Sequence, residues 1–263
     1  MTDLPIGVLE AALRSARDGG RKLLVPYVTG GLGDDWPDVV RAVAAAGADA
    51  IEIGIPFSDP VMDGPVIQEA SERALKQGAT PMSILDTLRE VDAGVPLAVM
   101  TYYNICFRTG HERFARTLID SGVVAAILPD LPLEEVGPWA EVADAVGVET
   151  VLLAAPTAPD ERLPRVCERS RGFVYAVGLL GVTGERSELA TSATVIAKRL
   201  KDVTDKPVLI GVGISNAEQA RQACEVADGV VIGSAIIRRL LDGEGPDGAA
   251  EFVGTVRRAL DEH

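Results

Sequence analysis

The chain is 263 residues long, 47% hydrophobic and 24% charged, a balance that fits a folded globular protein and excludes a disordered or fibrous one. Its 25 Lys plus Arg against 39 Asp plus Glu leave a formal net charge of −14, so no broad basic surface is on offer to nucleic acid or to an anionic membrane. Two Trp, four Tyr and five Phe are too few for base-stacking platforms, and Cys106, Cys167 and Cys224 are too scattered for a disulfide framework or a zinc knuckle.

The opening segment, MTDLPIGVLEAALRSARDGG, has no basic head followed by an apolar stretch, and nowhere do eighteen apolar residues run together. It predicts a leading helix near residues 6–18 in a cytoplasmic protein. Eight apolar runs follow in order: KLLVPYVTG, DAIEIGIP, PLAVMTYY, VAAILPD, ETVLLAAP, GFVYAV, PVLIGVGI and GVVIGSAI. Between them lie stretches of helical period, such as Trp36, Val39, Val40 and Val43, or Phe252, Val253, Val256 and Leu260. The gap after the second run holds two helical stretches, so one helix is inserted there. GEGP at 243–246 separates a short extra helix after the eighth run from the final helix. Strands apolar on both faces, alternating eight times with helices, predict an α/β fold of the (β/α)8 TIM-barrel type, a single domain over residues 1–263. An open doubly wound sheet is disfavoured, because VTGGLGDDWPD lacks the glycine fingerprint and GVGISN carries Asn216 in place of its third glycine.

In such a barrel the chemistry sits beyond the strands' carboxyl ends. In DAIEIGIP the side chains alternate, aiming Ile51, Ile53 and Ile55 at the helices and Ala50, Glu52 and Gly54 into the barrel. An unpaired inward Glu52 stays protonated, as a general acid at neutral pH must; a buried ion pair is the competing reading. Gly54 leaves room for a ligand. Asp63, in the loop PFSDPVMDGP, supplies a second carboxylate at the same end, while Asp59 reads as a turn residue and Asp130 as a secondary candidate for the site or for a subunit contact.

The last three strands end in glycine-bearing loops, GLLGVTGE, GVGIS and GVVIGSAI. Gly211 and Gly213 share the inward face, so the backbone can approach an anion, and Gly233-Ser234 opens the short extra helix, whose N-terminus favours a dianion. Loops after strands seven and eight plus an added helix form the recurrent phosphate site of these barrels. Schiff-base chemistry is disfavoured, since Lys22 and Lys206 precede their strands. Metal chemistry is disfavoured too, His111 and His263 reading as solvated surface residues.

Taken together, VPYVTGG, IEIGIPFSDPVMDGP, MTYYN, ILPDLP, GVTG, GVGIS and IGSAI closely resemble the tryptophan synthase alpha subunit family over nearly the whole chain. The resemblance implies retro-aldol cleavage of indole-3-glycerol phosphate to indole and glyceraldehyde 3-phosphate. In it Glu52 moves protons at the indole C3 and the glycerol hydroxyl, and Asp63 binds the indole N–H and stabilises the cationic indolenine. It assigns the phosphate to Gly184, Gly213, Gly233 and Ser234, and puts Tyr102, Tyr175 and Thr183 around the substrate. It further implies no cofactor in this chain, a PLP-dependent beta subunit as partner in an α2β2 heterotetramer, contacts around Pro56, Asp59, Pro60 and Pro132, and a gate in the GVTG loop. Departures from the family pattern at Gly178-Leu179, Ile105 and Leu24 bear on loop anchoring and on the shape of the indole pocket. Other readings are a stand-alone indole-3-glycerol-phosphate lyase, another phosphate-binding TIM-barrel isomerase, or a low-activity barrel that mainly activates a partner.

Overall fold

Alternation along the apolar runs builds two layers of core. The strands are β1 (Leu23–Thr29), β2 (Ile51–Gly54), β3 (Leu97–Met100), β4 (Val123–Ile127), β5 (Glu149–Ala154), β6 (Val174–Ala176), β7 (Val208–Ile210) and β8 (Gly229–Ile232). All pair in parallel with their neighbours, and β8 returns to β1, closing the barrel predicted from the sequence. The computed structural model describes residues 5–178, 191–211 and 213–262. Ile51, Ile53 and Ile55 point outward and join Val39, Val40 and Val43 in the shell between barrel and helices. Ala50, Ala98, Ala125, Val151, Tyr175, Leu209 and Val231 point inward and fill the barrel.

The helices are α1 (Val8–Asp18), α2 (Trp36–Ala45), α3 (Pro65–Lys76), α4 (Pro81–Leu88), α5 (Tyr103–Thr109), α6 (His111–Asp120), α7 (Gly137–Val146), α8 (Leu163–Arg169), α9 (Thr191–Lys201), α10 (Ala217–Cys224), α11 (Ser234–Leu241) and α12 (Gly245–Asp261). The predicted leading helix is α1, and the insertion after β2 is the pair α3 and α4. α4 starts at a capping box in which Thr80 and Ser83 each bond the other's backbone. The short extra helix after β8 is α11. Among the described residues no helix is long and apolar enough to cross a membrane.

One helix was not anticipated. PLAVMTYY reads as a continuous strand, yet β3 stops at Met100 and the chain turns into α5 at Tyr103. Asp130 stabilises that turn, its Oδ1 accepting the Tyr103 N–H at 2.8 Å at the helix start, where backbone donors lack partners.

Helix α1 plugs the barrel's N-terminal end, packing Leu9 and Leu13 against Leu23, Val25 and Phe173. Its free N–H groups meet Glu149, the fully buried first residue of β5. The carboxylate accepts from Leu9 N at 2.6 Å and from Glu10 N at 3.0 Å, so a side chain from across the barrel caps the helix. Gly7 precedes the helix because a methyl group there would lie 2.2 Å from the Glu149 carboxyl carbon. Glu149→Ala leaves two buried donors unsatisfied and is expected to cost about 2–3 kcal/mol, read as a lower urea midpoint. A midpoint equal to that of the wild type would refute the capping role.

Candidate active site

Register in the wall places Glu52 of β2 beside Tyr27 of β1 and Ala98 of β3. Its side chain points inward and is 1% exposed, and Oε2 has no hydrogen-bond partner among the described residues. Among the described residues no cation offsets the loss of solvent. Burial first, and the nearby Asp63 second, push the Glu52 pKa up to about 8, so the group is a neutral acid at pH 7.

Asp63 is carried by the loop between β2 and α3, one residue before Gly64, the N-cap of α3, so the helix's positive end favours its charge. Gln68 anchors the loop by donating from Nε2 to the Asp63 backbone carbonyl at 2.9 Å. The Tyr102 hydroxyl donates to Asp63 Oδ2 at 2.9 Å and accepts the Met62 N–H at 2.9 Å. Phe57 stacks on the Tyr102 ring at 4.9 Å between centroids. Burial raises the Asp63 pKa and the Tyr102 hydrogen bond opposes the rise. One carboxylate oxygen is therefore fixed by Tyr102, and the other remains to accept from a ligand.

The gaps left by two inward glycines are filled by tyrosines rather than open to ligand. A methyl group at Gly54 would lie 1.8 Å from the Tyr27 hydroxyl oxygen, and one at Gly211 would lie 2.1 Å from Cε1 of Tyr175. Gly54 thus provides a seat for a phenol from the neighbouring strand, and so does Gly211, which corrects both sequence readings. Tyr27 was missed as a site residue; its inward phase with Leu23 and Val25 was the available signal. Tyr175 lies on the inner face of β6, buried among the barrel residues.

Across the mouth, Gly213 has φ +73°, is exposed, and has open space where a side chain would project. Gly233 precedes α11, and the exposed Ser234 is its first residue. Ile236 and Ile237 spend their N–H groups on the Gly233 carbonyl, whereas the amides of Ser234 and Ala235 stand at the helix start, where no intrahelical acceptor exists. Tyr27 separates the two halves of the site: a methyl group on Gly233 would touch its Cβ at 3.4 Å, and Glu52 pairs with it on the other side. Two strand spacings, about 10 Å, separate the backbones of β2 and β8 with β1 between them. Thr183, Gly184 and Leu179 lie outside the described residues, as does His263.

Other sequence candidates find structural partners. Asp59 accepts the Ser58 hydroxyl at 2.6 Å in the turn, and Asp130 caps α5 as described. His111 is half-buried rather than solvated: its ring packs near Tyr103, Phe107 and Trp139, and Nε2 lies 2.9 Å from the Tyr103 hydroxyl. Lys22 donates to the Cys224 carbonyl at 2.6 Å and Lys206 to the Ser170 carbonyl, both at the barrel's far end. Leu24 is fully buried in the outer shell and Ile105 packs against that shell, on the side of the strands that faces the helices. Among the described residues no three His, Cys, Asp or Glu side chains gather as a metal-binding set.

A closed parallel barrel with a neutral buried acid and a second carboxylate at its mouth defines a (β/α)8-barrel enzyme built for acid–base chemistry. Comparison with known proteins narrows the class. The profile of the family described as "Tryptophan synthase alpha chain" matches residues 13–257. A tryptophan synthase alpha chain from Thermobifida fusca is 43% identical over 252 residues, covering 94% of this chain and 93% of that one. One from Streptomyces coelicolor is 42% identical over 265 residues, covering 97% and 95%. A solved tryptophan synthase from M. tuberculosis superposes with a TM-score of 0.89 at 36% identity, covering 97% of this chain and 99% of that chain. The chain belongs to the tryptophan synthase alpha chain family. The activity of that family is a lyase half-reaction, the cleavage of indole-3-glycerol phosphate.

Proposed function

We propose that Glu52 and Asp63 drive this cleavage as a coupled acid and counter-ion, with the substrate's phosphate held by the main chain at Gly213, Gly233 and Ser234 and, beyond the described residues, by Gly184. The neutral Glu52 gives its proton to the indole C3, creating a cationic indolenine whose N–H is bound by the ionised Asp63. The resulting Glu52 carboxylate takes the proton of the glycerol hydroxyl. The carbon–carbon bond then breaks, its electrons return to the ring, and indole and glyceraldehyde 3-phosphate leave with Glu52 protonated again. Tyr102 orients Asp63, and Tyr175 with Thr183 completes the walls. The observation that carries this reading is the juxtaposition of a buried, unpaired Glu52 with an Asp63 held by a phenol. Indole release from indole-3-glycerol phosphate, measured with and without a beta subunit, tests it; no release in either condition would defeat it.

The partner in this proposal is a PLP-dependent beta subunit in an α2β2 assembly within the cytoplasm, and this chain needs no cofactor of its own. In support, Val61 is 82% exposed and Met62 is exposed in the loop after β2, and Phe107 is exposed on α5, apolar side chains suited to burial against another protein. Val61 and Met62 directly follow Asp59 and Pro60 in that loop.

The phosphate cradle makes a separate prediction. Gly213→Val projects a branched side chain toward the bound anion and is expected to weaken glycerol 3-phosphate binding about 10-fold or more in a titration. The positive φ adds strain of about 1–2 kcal/mol, visible as a lower melting temperature, so affinity is compared where both proteins are folded. Equal affinities would remove Gly213 from the cradle.

A further inference from the structure

A small cavity lies between the ends of β2 and β3 and the flank of α3, bounded by Ile55, Asp63, Ser71, Thr101 and Tyr102, with space for one water. Thr101 follows the last residue of β3 and is 1% exposed. Its N–H is satisfied by the Ile127 carbonyl at 3.1 Å, but its Oγ1 has no hydrogen-bond partner among the described residues. A buried hydroxyl left without a partner costs about 1–3 kcal/mol, and valine would fill the same space without that cost. The Tyr102 hydroxyl does not relieve it, being already committed to Asp63 and to the Met62 N–H. Ser71 of α3, 3% exposed, adds a second hydroxyl to the lining, and the Asp63 carboxylate adds an acceptor.

We propose that Thr101 and Ser71 bind a single buried water that donates to Asp63, making Thr101 a positioning residue for the second carboxylate. The requirement of two to four polar partners for a buried water is met by these three groups, and Tyr27, Ile55, Met100 and Tyr102 close the remaining wall. A water donating to the carboxylate favours its charged form. It thus opposes the desolvation that raises the Asp63 pKa and keeps a full negative charge ready for the cationic indolenine. The hydroxyl of Thr101 does not reach the substrate; it acts through the water. The functional part of the inference rests on the proposed role of Asp63, whereas the water site stands apart from it.

The test uses the full chain with Thr101→Val and Thr101→Ser. High-resolution crystal structures are expected to place an ordered water within hydrogen-bond distance of Oγ1 and of Asp63 or Ser71 in the wild type and in Thr101→Ser, and none in Thr101→Val. The acid limb of kcat/KM is expected to move up by about 0.5–1 pH unit in Thr101→Val, a ~3–10-fold loss on the acid side, and to return in Thr101→Ser. A wild-type cavity without ordered water would overturn the site. A Thr101→Val protein with a lowered melting temperature but an unmoved acid limb would overturn the positioning role and leave a structural one. Absence of indole release from the wild type itself would instead sink the lyase mechanism, leaving the crystallographic arm to judge the water.

Discussion

Replacing Glu52 by Gln is expected to abolish indole release while leaving ligand affinity nearly intact. Glu52 serves two proton transfers, and each such step is worth ~10²- to 10⁴-fold, so loss of both leaves turnover near the background rate. Binding survives for an electrostatic reason: with its pKa pushed up to about 8, the wild-type side chain is neutral at pH 7, and Gln reproduces both its shape and its charge. The same reasoning fixes the pH profile. Cleavage starts from protonated Glu52, so kcat/KM falls as pH rises through about 8. Stability follows the same group. A folded-state pKa above the unfolded value of about 4.3 contributes stability that is fully present below about pH 4.3 and is lost as pH rises to about 8. At about 1.4 kcal/mol per pKa unit the loss amounts to several kcal/mol, and Glu52→Gln escapes it. Urea unfolding at pH 4.5 and pH 9 reads the difference: the variant gains on the wild type with rising pH. Near-normal turnover would remove Glu52 from the mechanism, and parallel pH dependence of stability would show that its carboxyl is not held neutral.

Much of this arrangement was legible because strands impose a period of two and a barrel imposes an inside. Once Ile51, Ile53 and Ile55 face the helices, Glu52 has only the interior left, and the structure puts it there. The extra helix after β8 was equally readable, since GEGP breaks the helical period. What escaped depends on contacts between distant segments. Gly54 and Gly211 looked like openings, but register brings Tyr27 and Tyr175 against them from neighbouring strands, and no local pattern encodes which side chain fills a glycine's space. Glu149 caps a helix 139 residues away, and Asp130 starts α5 from across a loop. Apolar composition alone could not show that PLAVMTYY ends its strand at Met100, because Tyr102 and Tyr103 suit a strand as well as a helix start.

Asp63→Asn separates charge from shape at the second carboxylate. Asn accepts a hydrogen bond from Tyr102 through its carbonyl oxygen and occupies nearly the same volume, so the loop is expected to persist, while its NH2 group replaces the oxygen that accepted the indole N–H and raises KM as well. What disappears is the negative charge facing the cationic indolenine. At about 4 Å and an effective dielectric of about 20, that interaction is worth about 4 kcal/mol, which corresponds to a loss of roughly 10³-fold in kcat. A second signature accompanies the first. Asp63 is the charge that adds to burial in raising the Glu52 pKa, so its neutralisation lowers that pKa and moves the basic limb of the residual activity below pH 8. A passive loop residue would produce neither effect, and a residue that only binds ground-state indole would raise KM without touching kcat. Steady-state kinetics of indole release across pH 5–10 distinguishes the three cases. An unchanged kcat with the basic limb still near pH 8 would show that the two acids do not work as a pair.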